Sequence, residues 1–306
     1  MRSDDTGADR VERPAGAPGP QGPFLVDSHV HLWDLSLGRY PWLRTAEPGT
    51  TAWIGDYSKI RRTYILADYL DDSAGTVQAF VHVEATRGDR DPVAETRWVR
   101  SATAEWPGAL SIVGRVDLRL PQAAAALDAH LETSEFRGVR MTEMPGLIDD
   151  PAFNRGFGLL ASRGLSYDLN IRWPEADSAL LLARRFPDTS ILIDNMANPR
   201  SLGEEEFRPW SSAMARLAQA PNVAMKISGL GMADHQWTIS SVRPWILAVL
   251  DLFGGDRAMF GTNWPVDSLY SSYQDLLGAY ISAVSDLTPG EQHALFAGNA
   301  RRLYQV

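Results

Sequence analysis

Cysteine is absent from the 306 residues. That excludes disulfides, thiolate zinc sites and a cysteine nucleophile. Any metal would have to sit on His, Asp, Glu or Asn. Histidine is scarce as well, with six in the chain. No stretch approaches 18 uninterrupted apolar residues, so no membrane span is expected. Positive charge is in deficit: 29 Lys and Arg face 38 Asp and Glu, for a net charge of −9. With no basic run to offset that balance, nucleic acid is not an expected partner. Residues 1–22 lack the apolar core of a secretory signal. Their charges and Pro/Gly/Ala cluster predict a disordered tail, with too little apolar surface to offset the entropy of ordering. A cytoplasmic location is the simplest expectation.

What is present is a long alternating pattern. The chain is 44% hydrophobic, enough for one large core, and a barrel domain of roughly 250 residues would nearly fill it. Eight apolar, strand-like runs follow one another: Phe24–His29, Ala79–Glu84, Ser111–Asp117, Phe136–Met141, Leu165–Ile171, Ile191–Asn195, Val223–Ser228 and Ala258–Asn263. Between them lie segments such as Pro92–Trp106 and Ala176–Phe186, whose apolar residues recur at helical spacing. Strand and helix repeated eight times predict an α/β fold of the (β/α)8 TIM-barrel type, one catalytic domain over 23–306 behind the disordered tail. A doubly wound open sheet would more often carry a Gly-rich phosphate loop after its first strand. Here that strand ends in His29-Val30-His31. The long, Gly-, Pro- and aromatic-rich segment Leu32–Tyr57 suits a lid or pocket wall.

Strand alternation places Asp27, His29 and His31 on one face, turned inward at the active-site mouth of a barrel. Two imidazoles at this spacing suit one metal ion or one substrate; the competing reading is a hydrogen-bonded core pair. Arg140, Arg172 and Lys226 are cations at or near strand ends, where they suit a developing oxyanion. For Arg172 and Lys226 the competing reading is an internal salt bridge, for example Arg172 with Asp168. Glu84 ends the second strand as a candidate general base, or as the partner of a neighbouring cation. His235, in the loop after the seventh strand, is a candidate third imidazole or a solvated residue. Trp33, Trp42, Trp173, Trp237 and Trp264 fall near strand ends, where aromatics suit a ring-shaped substrate or pack the rim.

The run FLVDSHVHLWDLSLGRYPWL resembles the opening of the amidohydrolase superfamily, in its amidohydrolase-2 branch. The resemblance recurs in FVHVEA (Phe80–Ala85), FRGVR (Phe136–Arg140), KISGLGMADHQWT (Lys226–Thr238), RPW (Arg243–Trp245), FGTNWPVD (Phe260–Asp267) and GNARRLY (Gly298–Tyr304). That branch contains sugar lactonases, dicarboxylate-lactone hydrolases and some decarboxylases. The resemblance implies that His29 and His31 are the paired histidines of the first strand, and that Arg140 faces an anionic substrate. It sets Asn263 where metal-dependent members keep an aspartate, with Asp267 as the nearest substitute. Asn195 falls where a histidine is usual. Trp264 and the two asparagines then join the substrate-binding set. The resemblance brings with it one divalent ion, zinc or manganese, on His29 and His31. Against that, a catalytic zinc normally takes three protein ligands plus water, and an amide oxygen is a poor third; the other reading is a metal-free site. The expected function is hydrolysis of a lactone or related cyclic ester of a small anionic compound, with His29, His31 and a carboxylate, Asp267 or Glu84, as acid and base. The alternatives are a lyase (decarboxylase or dehydratase), a cyclase, or a ligand-binding barrel without catalysis. The expected partner is a small molecule, with homo-oligomer formation left open.

Overall fold

All eight apolar runs become strands: β1 (Leu25–Val30), β2 (Val77–Val83), β3 (Ala109–Arg115), β4 (Phe136–Arg140), β5 (Ser166–Leu169), β6 (Ile191–Ile193), β7 (Val223–Ile227) and β8 (Ala258–Phe260). The structure, a computed structural model, describes residues 25–87, 91–141 and 146–306; the expected tail at 1–22 lies outside them. The strands pair in parallel in strict chain order. The circle closes just past β8: the Asn263 N–H donates to His29 O at 2.8 Å, and the His31 N–H donates to Trp264 O at 2.8 Å. Gly261 permits this closure. A Cβ there would lie 2.8 Å from the Cβ of His29 and 2.8 Å from Ser28 Oγ, so a larger residue would push β1 away. The fold is the expected TIM barrel, and no helix among the described residues is long and apolar enough to cross a membrane.

Two apolar layers hold it together. Inside the barrel, Val26, Val81, Val113, Leu192, Ala224 and Met259 pack with Ala300 and Tyr304 of the final helix, Asn299–Tyr304. That helix plugs the end where the strands begin: Ser111 Oγ, early in β3, donates to Tyr304 O at 2.9 Å. Outside, the helices bury one stripe each. Ala176–Arg185 buries Ala176, Ala179, Leu180 and Ala183, the i, i+3, i+4, i+7 pattern, and leaves Leu181 66% exposed. With the lower end plugged, the open end is the mouth at the C-terminal ends of the strands. The segment after β1 covers part of it with two short helices, α1 (Pro41–Arg44) and α2 (Pro48–Ile54). Proline at the first position starts both, where its missing N–H costs nothing.

Candidate active site

The site begins with a break in β1. Simple alternation puts Asp27 on the face of His29 and His31; the structure does not. Asp27 points outward, accepting hydrogen bonds from Tyr69 Oη (2.9 Å), Tyr273 Oη (3.3 Å) and the Thr262 N–H (2.8 Å). The cause is local. Asp27 Oδ1 also accepts the N–H of His29 at 3.2 Å, and the β1–β2 register shifts between Asp27 and Val30. The bulge flips parity, so Val26 packs in the inner layer and Val30 in the outer core. Beyond it, His29 and His31 turn toward the mouth.

Their Nε2 atoms lie 3.2 Å apart. His31 Nδ1 is 2.7 Å from the carbonyl oxygen of Val83, which can only accept. The proton of neutral His31 is therefore on Nδ1, and Nε2 carries a lone pair. His29 presents Nδ1 to Asp194 Oδ1 at 3.3 Å. Burial strips both rings of water and pushes His29 down to about 4, against the pull of Asp194. Burial likewise holds His31 well below the usual imidazole value, helped by His29 and Arg140. Both rings are neutral bases near pH 7.

Asp194 joins this pair to a buried charge cluster. Lys226 Nζ lies 3.1 Å from Asp194 Oδ1 and bonds Asp168 directly; Tyr304 Oη donates to both oxygens of Asp168 at 2.9 Å. Arg140 Nε lies 3.4 Å from Asp194 Oδ2 and 4.0 Å from Glu84 Oε1. Burial alone would raise the Asp194 carboxyl; Lys226, His29 and Arg140 outweigh it and hold the group well below the usual carboxylate range. Asp168 thus pairs with Lys226 across the interior, so the internal salt bridge weighed for Lys226 forms, and the one weighed for Arg172 with Asp168 does not.

Above the cluster opens a cavity of about 300 Å³. His31, Glu84, Arg140, Asn195 and Asn263 line it, five of the residues singled out from the sequence. From the lid, Trp42 and Trp53 join them. His29 is fully buried behind His31, and Lys226 is buried in the charge cluster. Asp267 sits behind Asn263: it accepts from Asn263 Nδ2 at 2.6 Å and from the Gly231 N–H at 2.9 Å. Burial pushes its carboxyl up to about 7 against those two bonds. Three candidates stand apart from the cavity. The Arg172 N–H donates to Glu175 Oε2 at 3.1 Å, at the start of a short helical turn. His235 is exposed and stacks on Tyr270 at 4.5 Å. Trp264 is buried, its indole N–H donating to Asp72 at 2.8 Å. The sequence reading missed Asp194. Its signal was alternation, since Asp194 follows the inward Leu192 by two.

The family model for amidohydrolases matches residues 26–306. This chain belongs to the amidohydrolase family. Among its relatives is the uncharacterized protein y4mH of Sinorhizobium fredii, 37% identical over 92% of this chain and 98% of that one. An L-fucono-1,5-lactonase of Burkholderia ambifaria is 28% identical over 92% of this chain and 96% of its own. The crystal structure of a zinc-bound amidohydrolase from Burkholderia multivorans superposes with a TM-score of 0.80, at 27% identity over 92% of this amidohydrolase and 99% of that chain.

Proposed function

We propose that this amidohydrolase opens the ring of a small lactone by adding water to its carbonyl. The observation that carries the reading is one cavity holding an imidazole lone pair, on His31, and a buried guanidinium, on Arg140, whose Nε faces Asp194 at 3.4 Å while its Nη1 has no hydrogen-bond partner among the described residues. Buried donors of that kind are expensive to leave unmade, and a carbonyl or carboxylate oxygen satisfies them. The L-fucono-1,5-lactonase relative supports the reaction class.

The chain's own residues supply the steps. His31 Nε2 takes a proton from the attacking water, and His29 Nε2, 3.2 Å away, shares the resulting charge. Asp194, beyond His29 Nδ1, keeps that ring oriented, as the third member of a catalytic triad does. Arg140 orients the substrate and polarises its carbonyl. Asp267 acts behind Asn263, holding its amide in place.

A zinc ion, as the Burkholderia multivorans relative holds, would polarise the carbonyl and lower the pKa of water. The donors here do not fit one. His29 and His31 converge, but no group of three His, Asp or Glu side chains suited to a metal forms among the described residues. Asn195 Oδ1 is engaged by Ser228 Oγ at 2.7 Å, and the remaining amide oxygen, on Asn263, is a poor zinc ligand. Asp194 approaches His29 at Nδ1, the opposite side of the ring from His31. We therefore route no step through a metal.

The test is a panel of sugar, aliphatic and aromatic lactones with the full chain, followed by acid release and product mass. Gain of one water on at least one lactone is expected. Loss of carbon dioxide from an acid on the same scaffold, with every lactone intact, would replace hydrolysis with decarboxylation.

A further inference from the structure

We infer that Asn195 and Asn170 are catalytic residues. Their amide N–H groups, together with Arg140, bind the lactone carbonyl oxygen as it becomes an oxyanion. This rests on the lactone-hydrolysis reading and adds the groups that do the work a metal does elsewhere.

The amide orientations follow from their partners. Asn198 Nδ2 donates to Ile171 O at 2.8 Å, and a backbone carbonyl accepts only. The nitrogen of Asn198 is thereby assigned, so the Asn170 atom it also meets, at 2.8 Å, is Oδ1. Asn170 lines the cavity with its oxygen used, and its NH2 has no partner among the described residues. Asn195 Oδ1 accepts from the Ser228 hydroxyl at 2.7 Å, the orientation that gives this buried O–H an acceptor, and its NH2 is left over. Asn263 runs the other way. Its nitrogen meets Asp267 Oδ2 at 2.6 Å and the thioether sulfur of Met232 at 3.6 Å, two acceptors, which leaves Oδ1 to the cavity.

The mouth therefore has two poles. Donors stand on one side, at the ends of the neighbouring strands β4, β5 and β6: Arg140, Asn170 and Asn195. Acceptors stand on the other side, from the end of β8 through β1 to β2: Asn263 Oδ1, His31 Nε2 and the Glu84 carboxylate. A lactone carbonyl fits between them in one sense, with its oxygen toward the donors and a water on the acceptor side. Water oxygen then bonds to the carbonyl carbon while its proton passes to His31 Nε2. The π pair moves onto the carbonyl oxygen, facing three donor side chains. When C=O re-forms, the ring C–O bond breaks. The ring oxygen leaves with the electron pair and takes the proton back from His31, giving the hydroxy acid.

The experiment compares wild type, Asn195→Ala and Asn195→Asp on a lactone that the wild type opens, all in the presence of EDTA. Asn195 has φ +48°, a left-handed backbone that aspartate tolerates well, so Asn195→Asp keeps the fold and the acceptor for Ser228 while losing the donor. Both variants are expected to lose about 10²-fold in kcat, with KM within about threefold, the split of an interaction made in the transition state. Wild-type kcat is expected to survive EDTA. Asn195→Asp at wild-type kcat would overturn the proposal, leaving the asparagine a structural acceptor. So would wild-type activity that vanishes in EDTA and returns with zinc. If the wild type opens no lactone at all, the hydrolysis reading fails first and this one with it.

Discussion

The two sides of the mouth are built from different backbones. At the end of β1, His29 and His31 ride an extended strand, just past the bulge at Asp27. At the ends of β6 and β8 the chain turns left-handed. Asn195, Met196, Ala197 and Asn198 run at φ +48°, +53°, +58° and +49°, and Asn263 sits at +55°. For L-residues that region costs roughly 1–2 kcal/mol each, and Asn, Asp and His are the non-glycine residues most at home in it. The difference teaches how a site can change chemistry and keep its scaffold. A turn that accepts histidine or aspartate accepts asparagine equally well. Asparagine at 195 and 263 suits that backbone and supplies amides that donate or accept hydrogen bonds. The β1 side has no such freedom, since imidazole is the side chain that offers a neutral basic nitrogen near pH 7.

The largest expected effect removes the acceptor side. His31→Ala should lower kcat/KM by about 10³-fold, within the range for loss of a positioned general base, with the melting curve little shifted; initial rates on the responsive lactone check it. A loss under tenfold would move the base to Glu84. The left-handed side breaks differently. Asn198→Ala removes two buried hydrogen bonds, to Ile171 O and Asn170, at a residue with φ +49°. It should cost about 3 kcal/mol of stability in urea unfolding. The mildest probe is pH. His29 sits at about 4 and His31 well below its ordinary value because burial disfavours the imidazolium. Protonation removes the lone pair, so activity is lost on the acid side. The kcat/KM profile should stay level through the ordinary imidazole range and fall only at pH values well below 6.5. An acid limb near 6.5 would mean hydrated, ordinary histidines and would weaken the contrast between the two sides.

Much of this was legible in the sequence, because strand and helix periodicity is local. The β4 run was read as Phe136–Met141 and folds as Phe136–Arg140. β8 was read through Asn263 and ends at Phe260, because the chain leaves regular pairing there to close on β1. Arg140, His31, Glu84, Asn195 and Asn263 were all singled out and all line one cavity. Side-chain pairing across the barrel was not legible. Asp168 was matched with Arg172 because both share a strand, whereas Lys226 reaches it from β7. The orientation of Asp27 was misread for a similar reason, since one hydrogen bond to the His29 N–H cancels the alternation rule.

By itself, then, the order of residues determined the eight-fold repeat and the imidazole pair at the first strand's end, for these depend on period and residue type. The tertiary structure decided which way His29 and His31 point, that Asp194 stands behind them, and that three asparagines divide into two donors and one acceptor. Those outcomes depend on a bulge, on the barrel's interior and on the partner that holds each amide, and such partners come from strands far apart in the chain.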